Sequence, residues 1–551
     1  MSAERDRFDA VIVGAGVNGA GLFRDLCAQG LRCLIVEKAD FGAGTSSAPS
    51  RMIHGGLKYL ETGEFGLVAQ STLERNLLLR NAPHTVTPLQ TVIPIFSWTK
   101  GVGAALKTLF GAKGAARSRG ALLIEAGLTI YDLLGLRARV MPRHRLRGRA
   151  RSLRTLPSLT DRIVASAAYW DARVRAPERM VWELVADGLS LSPSSEALTR
   201  TSVAGIEDGA LVLEGEDGRR LVRTSFVANA AGPWIDRVNA ALGAPSKLIG
   251  GTKGSHLLLD MPDLVAELDG RMIYFEADDG RILLVYPHLG RILAGTTDIP
   301  AGDPDGVRCE EDEVAYILTR LKALMPGREF GRERIVYAYS GIRPLPASDA
   351  KVPGLISRDH SAPVVEPAEG RPFAIVSLVG GKWTTFRGFA EEVADLALKR
   401  LGKVRRRTTR DLPVGGGRDF PREAAARARW IATAARTSGL PEARVDELLT
   451  RYGTVAKAIA REGASPSLPD RIDHSEAEIA WIARHEHVRH LSDIVLRRTT
   501  LAMGGPLSRR DLVRMAEIAG GVLGWDADRQ AAEVAELAER LEGPQRMPLG
   551  R

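Results

Sequence analysis

Cysteine is nearly absent: Cys27, Cys33 and Cys309 are the only three in 551 residues, and no CxxC pair occurs. That excludes a disulfide framework and a cysteine-based zinc site, and it fits a reducing compartment. Aromatic residues amount to 5%, too few to suggest the stacking platforms of nucleic-acid binders, and the basic residues are scattered rather than set in a recognised nucleic-acid module. No stretch reaches the ~20 apolar residues of a spanning helix. The N-terminus, MSAERDRFDA, has no apolar signal core. The chain is therefore expected to be cytoplasmic, lying at most on a membrane surface. What is abundant is ordinary for a folded protein, with 44% hydrophobic and 26% charged residues. Lys and Arg number 76 against 67 Asp and Glu, a net of +9, which favours an anionic partner. There is no internal repeat.

The most ordered signal stands first. Phe8 to Val13 is a short apolar run of the kind that forms a buried parallel strand. Gly14, Gly16 and Gly19 follow in a G-x-G-x-x-G pattern, then a helical pattern through Leu22 and Leu26, then a second strand from Cys33 to Val36 ending on Glu37. In this βαβ setting Gly14 allows the turn off the strand, Gly16 the approach of a pyrophosphate, and Gly19 close helix–sheet packing. Asn18 lies in the same loop. The helix N-terminus offers N–H groups to the anion. Glu37 then accepts from a ribose hydroxyl, which argues against a 2′-phosphate and so against NADP.

Beyond residue 40 the chain departs from a nicotinamide enzyme. T-S-S-A-P-S-R-M-I-H-G-G-L-K-Y-L-E (Thr45 to Glu61) is followed by V-A-N-A-A-G-P-W (Val227 to Trp234), T-K-G-S-H (Thr252 to His256), G-T-T-D (Gly295 to Asp298), Y-S-G-I-R-P-L (Tyr339 to Leu345) and G-G-K-W-T-T-F-R (Gly380 to Arg387). Each adjoins a strand-like run, an arrangement that returns several strand ends to one site. Alternating stretches such as Ile282 to Tyr286 predict a second, mixed sheet. The charge run Arg405 to Arg410 and L-P-V-G-G-G (Leu412 to Gly417) read as a linker, and the remainder, rich in Ala, Glu, Arg and Leu at helical spacing, as a separate helical domain.

At these motifs the sequence resembles the FAD-dependent, quinone-linked glycerol-3-phosphate dehydrogenases and the related glycerophosphate oxidases, over nearly the whole chain. The resemblance implies an α/β fold: an FAD-binding Rossmann-type domain of the glutathione-reductase and D-amino-acid-oxidase kind, a mixed-sheet substrate part, and an all-α C-terminal domain. The expected divisions are residues 1–400, a linker at 401–420, and 421–551. It implies non-covalent FAD, oxidation of sn-glycerol 3-phosphate to dihydroxyacetone phosphate, and electron transfer to ubiquinone or menaquinone. It also implies a peripheral position on the inner face of the cytoplasmic membrane, and it admits a homodimer.

Such chemistry needs a base for the C2 hydroxyl and cations for the phosphate, while the cofactor accepts hydride. His256 is the preferred base, since imidazole titrates near working pH, with His54 the competing candidate or a flavin contact. Arg343 is expected to bind substrate and to support the developing alkoxide. Lys58, Tyr59, Lys382 and Thr384 are the further substrate ligands, Lys382 being equally suited to the flavin edge. Thr45, Ser46, Ser47 and Ser50 are expected at the FAD pyrophosphate and ribityl chain. His54, Gly55, Gly56, Ala231, Gly232, Gly380 and Gly381 complete the cofactor set, and no metal is expected. Three departures stand out: Lys58 where the family commonly has Arg, Pro49 and Arg51 where Ser and Lys are usual, and Arg175-Ala176 in place of an acidic pair.

Residues 97–120 combine Trp98, Val102, Leu106, Leu109 and Phe110 at near-helical spacing with Lys100, Lys107, Lys113, Arg117 and Arg119. That composition suits a helix lying in an anionic headgroup layer, and the Arg143 to Arg151 run adds positive charge. The competing readings are an oxygen-using oxidase, an amino-acid or amine oxidase of the same flavin fold, and a basic flavoprotein that binds without turnover.

Overall fold

A computed structural model describes residues 6–60, 63–99, 120–135, 140–347, 359–505 and 507–550. Most of the 97–120 segment, and Glu61, therefore lie outside the described residues.

The apolar runs at the start form the centre of a six-stranded sheet. Its order is Val364–Val365, Ala374–Ser377, Phe226–Asn229, Ala10–Val13, Cys33–Val36 and Glu196–Leu198, parallel except at the first strand. Every residue of Ala10–Val13 and Cys33–Val36 is buried, as a parallel strand covered on both faces requires. One face packs on the helices Val17–Ala28, Pro177–Leu191 and Phe386–Arg400 through residues such as Leu22, Leu184 and Phe389. The other, through Val11 and Leu34, meets Leu211, Leu213 and Val222 of a three-stranded antiparallel sheet.

The second sheet has ten strands, eight in one path and two branching from it, and is mixed, because Met272–Glu276 runs parallel to Val86–Ile95 while the other pairings are antiparallel. Its key strand is Ile249–Leu259, paired with Ile335–Pro346 on one side and Arg291–Gly295 on the other. The register sets Thr252 opposite Arg343, Gly254 opposite Gly341 and His256 opposite Tyr339. A two-residue period then puts all six on one face. The opposite face, with Leu257, Leu259 and Ala338, buries itself against Val314, Ile317 and Leu321 of the helix Glu311–Leu324.

The C-terminal domain is helical, with Ala424–Ser438, Glu442–Tyr452, Glu476–His485, Arg509–Leu523 and Ala527–Glu542 as its longer helices. Ser475 with Glu478 and Ser508 with Asp511 form reciprocal capping boxes, each satisfying helix-start donors. Its core is continuous with the second sheet, since Leu258, Tyr337 and Tyr339 pack in the same cluster as Leu448, Ile479 and Leu512. Residues 405–417 adhere closely to the first domain. Gln29 accepts from the Arg406 and Arg407 amides, Arg405 pairs with Asp25 at 2.8 Å, and the Val414 amide donates to the Asn81 carbonyl.

Three ion pairs clamp the helical domain to the part built on the six-stranded sheet. Arg498 forks onto Asp40 at 2.6 and 2.8 Å, Arg179 onto Glu486 at 2.9 and 2.8 Å, and Arg200 reaches Asp493 at 2.6 Å. Arg498 ends a five-residue π-helical turn, Ile494–Arg498, a local widening that is rare and marks specialised positions. The arginine departure at Arg51 has its reason here too. The residue is fully buried and its fork meets both oxygens of Glu178, a geometry a lysine does not supply.

Candidate active site

The glycine loop is built by close approach. Gly14 has a φ of +99°, and a Cβ on Gly19 would overlap the Gly14 carbonyl oxygen. The helix Val17–Ala28 begins at Gly16 with no side-chain cap, so its first-turn N–H groups, which the helix itself cannot satisfy, face the loop. One of them, on Val17, donates to the Ser46 hydroxyl at 2.9 Å. Glu37 accepts from the Ala15 and Ala39 amides at 2.8 and 3.0 Å, while burial pushes its carboxyl above the usual range. Asn18 donates to the Gly380 carbonyl at 3.3 Å, and its Oδ1 is buried with no protein partner. A buried acceptor without a donor is costly, and this one sits where Gly380 and Gly381, both at positive φ, bring the chain close. The loop therefore fits a dinucleotide that brings its own donors. Gly19→Ala forces overlap costing ~1–3 kcal/mol, about 5- to 150-fold in flavin affinity. The variant is expected to be isolated largely without flavin, read from the ratio of flavin to protein absorbance, and a full complement would contradict this account of the loop.

The hydroxyl-rich turn Thr45–Ser47 is fixed by its own groups. Thr45 donates to the Ile342 carbonyl at 2.5 Å and Ser47 to the Gly44 carbonyl at 2.9 Å. Ser50, expected at the FAD pyrophosphate and ribityl chain, pairs with His256 Nε2 at 2.8 Å. Ala231 and Gly232 follow the strand Phe226–Asn229, where the Ala231 amide donates to the Asn229 side chain at 3.2 Å.

His256 is 1% exposed and stacks on Tyr339 with centroids 4.8 Å apart and planes 12° from parallel. Burial first, then Arg343 and Arg51, pushes its imidazole well below the usual range. It is neutral at neutral pH. Its Nδ1 is buried without a protein partner. On the same sheet face Arg343 donates to Asp298 and Thr296 at 2.9 Å each and to the Thr297 carbonyl at 3.2 Å. The absence of a side chain at Gly254 makes its room, for a Cβ there would overlap the guanidinium.

A second group lies on the 54–60 loop and the Gly380 to Thr385 turn. The Lys382 ammonium sits 3.7 Å from the Tyr59 ring centroid and 3.3 Å from Ser71 Oγ. The Tyr59 and His54 rings are 6.3 Å apart. Lys58 occupies the half-buried turn Leu57–Leu60 beside them. Thr384, expected at the substrate, is 1% exposed and accepts from the His54 amide at 3.1 Å. Beneath the loop the Gly55 amide donates to Tyr131 and Asp171, and Arg75 bonds both at 2.8 Å.

Motif reading did not assign Asp298, Thr296, Ser71, Arg75 or Tyr131 a role. Asp298 lies inside the quoted G-T-T-D motif, whereas Ser71 is one serine in the helix Phe65–Asn81, 311 residues from its partner Lys382.

Residues 9–396 match the FAD dependent oxidoreductase family, and residues 407–530 the C-terminal domain of alpha-glycerophosphate oxidase. The chain is 33% identical over 530 residues to a glycerol-3-phosphate dehydrogenase of Synechocystis, covering 90% of this chain and 89% of that one. It is 31% identical over 516 residues to the aerobic glycerol-3-phosphate dehydrogenase of Escherichia coli, with 90% and 94% covered. Among solved structures, the glycerol-3-phosphate dehydrogenase of Bacillus halodurans complexed with FAD superposes with a TM-score of 0.72 at 20% identity, covering 100% of this chain and 97% of that one. The fold, the glycine loop and these likenesses agree: the chain belongs to the FAD-dependent oxidoreductases, in the family that contains the glycerol-3-phosphate dehydrogenases.

Proposed function

We propose that the protein oxidises sn-glycerol 3-phosphate to dihydroxyacetone phosphate and passes the electron pair to a membrane quinone. The observation that carries this reading is a buried neutral imidazole, His256, on the same sheet face as an orientated guanidinium, Arg343. Bound FAD supplies the hydride acceptor for the C2 hydrogen. His256 takes the C2 hydroxyl proton, with Ser50 fixing the ring orientation. Arg343 faces the oxygen that becomes the carbonyl, where a positioned charge is worth most. Lys382 and Lys58 neutralise the phosphate dianion, and the Tyr59 ring steers the Lys382 ammonium. Thr384 and the Arg75, Tyr131 and Asp171 group hold the loop in place. Residues 1–400 hold cofactor and substrate, and residues 421–551, joined through 401–420, clamp the cofactor side.

Turnover with glycerol 3-phosphate tests the acceptor. The proposal expects reduction of a short-chain ubiquinone under argon and little hydrogen peroxide in air. Stoichiometric peroxide with no quinone reduction would make the protein an oxidase.

No described helix is long and apolar enough to cross a membrane. A surface position is supported by the helix Ala121–Leu134, where Leu122 and Leu133 are each 59% exposed and Ile130 lies on the same outer stripe. Trp98 and Phe96 stand exposed at the chain entry to this region, and Arg143, Arg145 and Arg149 are exposed beyond it. Apolar side chains flanked by cations match an anionic headgroup layer. Leu122→Asp with Leu133→Asp is expected to reduce co-sedimentation with phosphatidylglycerol vesicles by about tenfold or more, since each leucine loses ~1.5–3 kcal/mol of burial. Unchanged co-sedimentation would remove this face from the account.

A further inference from the structure

The cations placed so far either hold the fold or serve the substrate. Two others, Arg497 and Arg540, do neither. Arg497 lies within the π-helical turn Ile494–Arg498 and is 7% exposed, and the hydrogen bond it makes goes to the carbonyl of its neighbour Leu496 at 3.3 Å. Arg540 lies in the last turn of Ala527–Glu542. Among the described residues neither forms an ion pair with a carboxylate, although Glu536, one turn before Arg540, attracts it from a distance. Two guanidinium groups close together without a paired carboxylate repel each other. Arg540 itself is exposed, and desolvation of its surroundings together with the repulsion of Arg497 lowers its guanidinium to about 10.

Both side chains line one cavity of about 500 Å³ between the helical domain and the second sheet. That volume is in the range of small-molecule sites. Arg308 stands at the same cavity, and the acid lining it, Glu178, is already forked by Arg51. Arg308 is paired with Glu310 at 3.0 Å, so the positive excess at the walls comes from Arg497 and Arg540. Tyr337 and Met503 supply apolar surface. None of Lys58, Tyr59, His256, Arg343 and Lys382 lines this space, so it is not the proposed substrate pocket. Its near wall is the Thr45–Ser47 turn. Thr45 and Ser47 face the cavity, while Ser46 is turned to the glycine loop and accepts from Val17. Tyr339, stacked on His256, forms another part of the wall.

We propose that this cavity is an anion site for a small phosphate- or diphosphate-bearing metabolite, gripped by Arg497 and Arg540 and separate from the substrate pocket. Two guanidinium groups suit an oxyanion that accepts several charge-assisted hydrogen bonds. Its walls include the back of the hydroxyl-rich turn and of Tyr339. The inference rests on the FAD assignment but not on the identity of the substrate.

The test titrates the FAD-loaded protein with inorganic pyrophosphate by calorimetry in magnesium-free buffer. Four proteins are compared: the unaltered chain, Arg540→Gln, Arg497→Gln with Arg540→Gln, and Lys382→Gln. The expected result is one site in the unaltered chain, about tenfold weaker or more in Arg540→Gln, lost in the double variant, and retained in Lys382→Gln. Arg540→Gln lies on the accessible helix and reports even if the double variant fails to fold, with flavin content and substrate-driven flavin reduction unchanged as the check. No binding to the unaltered chain at millimolar pyrophosphate would overturn the proposal, as would undiminished binding in Arg540→Gln. Loss in Lys382→Gln would also overturn it, by placing the anion in the substrate pocket.

Discussion

His256→Ala is expected to slow flavin reduction by glycerol 3-phosphate by ~10²- to 10⁴-fold, the usual contribution of a positioned general base, with flavin content unchanged. The ring is buried, neutral, stacked on Tyr339 and bonded to Ser50, so its removal takes away the proton acceptor while the substrate cations stay in place. Stopped-flow reduction under anaerobic conditions checks this. A decrease smaller than tenfold would leave His256 a structural histidine and return His54 as the candidate.

The pH dependence carries the same signature. Burial, with Arg343 and Arg51 behind it, depresses the His256 imidazole in the folded state, whereas an unfolded histidine titrates near ~6.5. Flavin reduction should therefore stay level through ~6.5, where an ordinary imidazole base would already be losing activity. Below that pH the unfolded chain binds the proton and the native one resists it, so stability falls as the solution is acidified. His256→Ala removes its share of that loss.

Arg498→Ala is the second large effect. Arg498 and Asp40 have side chains 0% and 3% exposed and share two hydrogen bonds. Burial acts to raise the Asp40 carboxyl, and the Arg498 charge overcomes it, leaving the carboxyl lower than usual. Removing the arginine strands a buried carboxylate, at a cost of about 3–5 kcal/mol. Asp40 lies three residues beyond Glu37, so flavin should dissociate along with the loss of thermal stability. Differential scanning calorimetry with the flavin signal followed in parallel reads both. An unaltered melting temperature would show that the helical domain is not anchored through this pair.

The parts of this molecule legible in its sequence are those whose partners are near in the chain or confined to compact motifs. The βαβ unit from Phe8 to Glu37 declares itself because strand, glycine turn, helix and acid follow one another within thirty residues. His256 and Arg343 are visible as motif residues, but their placement on one face depends on the register between Ile249–Leu259 and Ile335–Pro346, which neither strand encodes alone. Ser50 shows the limit. Its hydroxyl-rich neighbourhood suggests the cofactor, and its pairing with a histidine 206 residues later is set by tertiary folding. The Arg498–Asp40 clamp spans 458 residues, and each half reads locally as a surface charge. Arg497 is hidden for the opposite reason: a run of two arginines looks uniform, while the π-helical turn sends one into an ion pair and the other toward a cavity.

The central claim is tested most directly by anaerobic addition of glycerol 3-phosphate to the yellow holoprotein, with glycine, sarcosine and glycerol as controls. The account predicts that the oxidised flavin absorbance bleaches with glycerol 3-phosphate and stays with the other three. Bleaching by an amine with glycerol 3-phosphate inert, or a flavin that none of the four reduces, would contradict it.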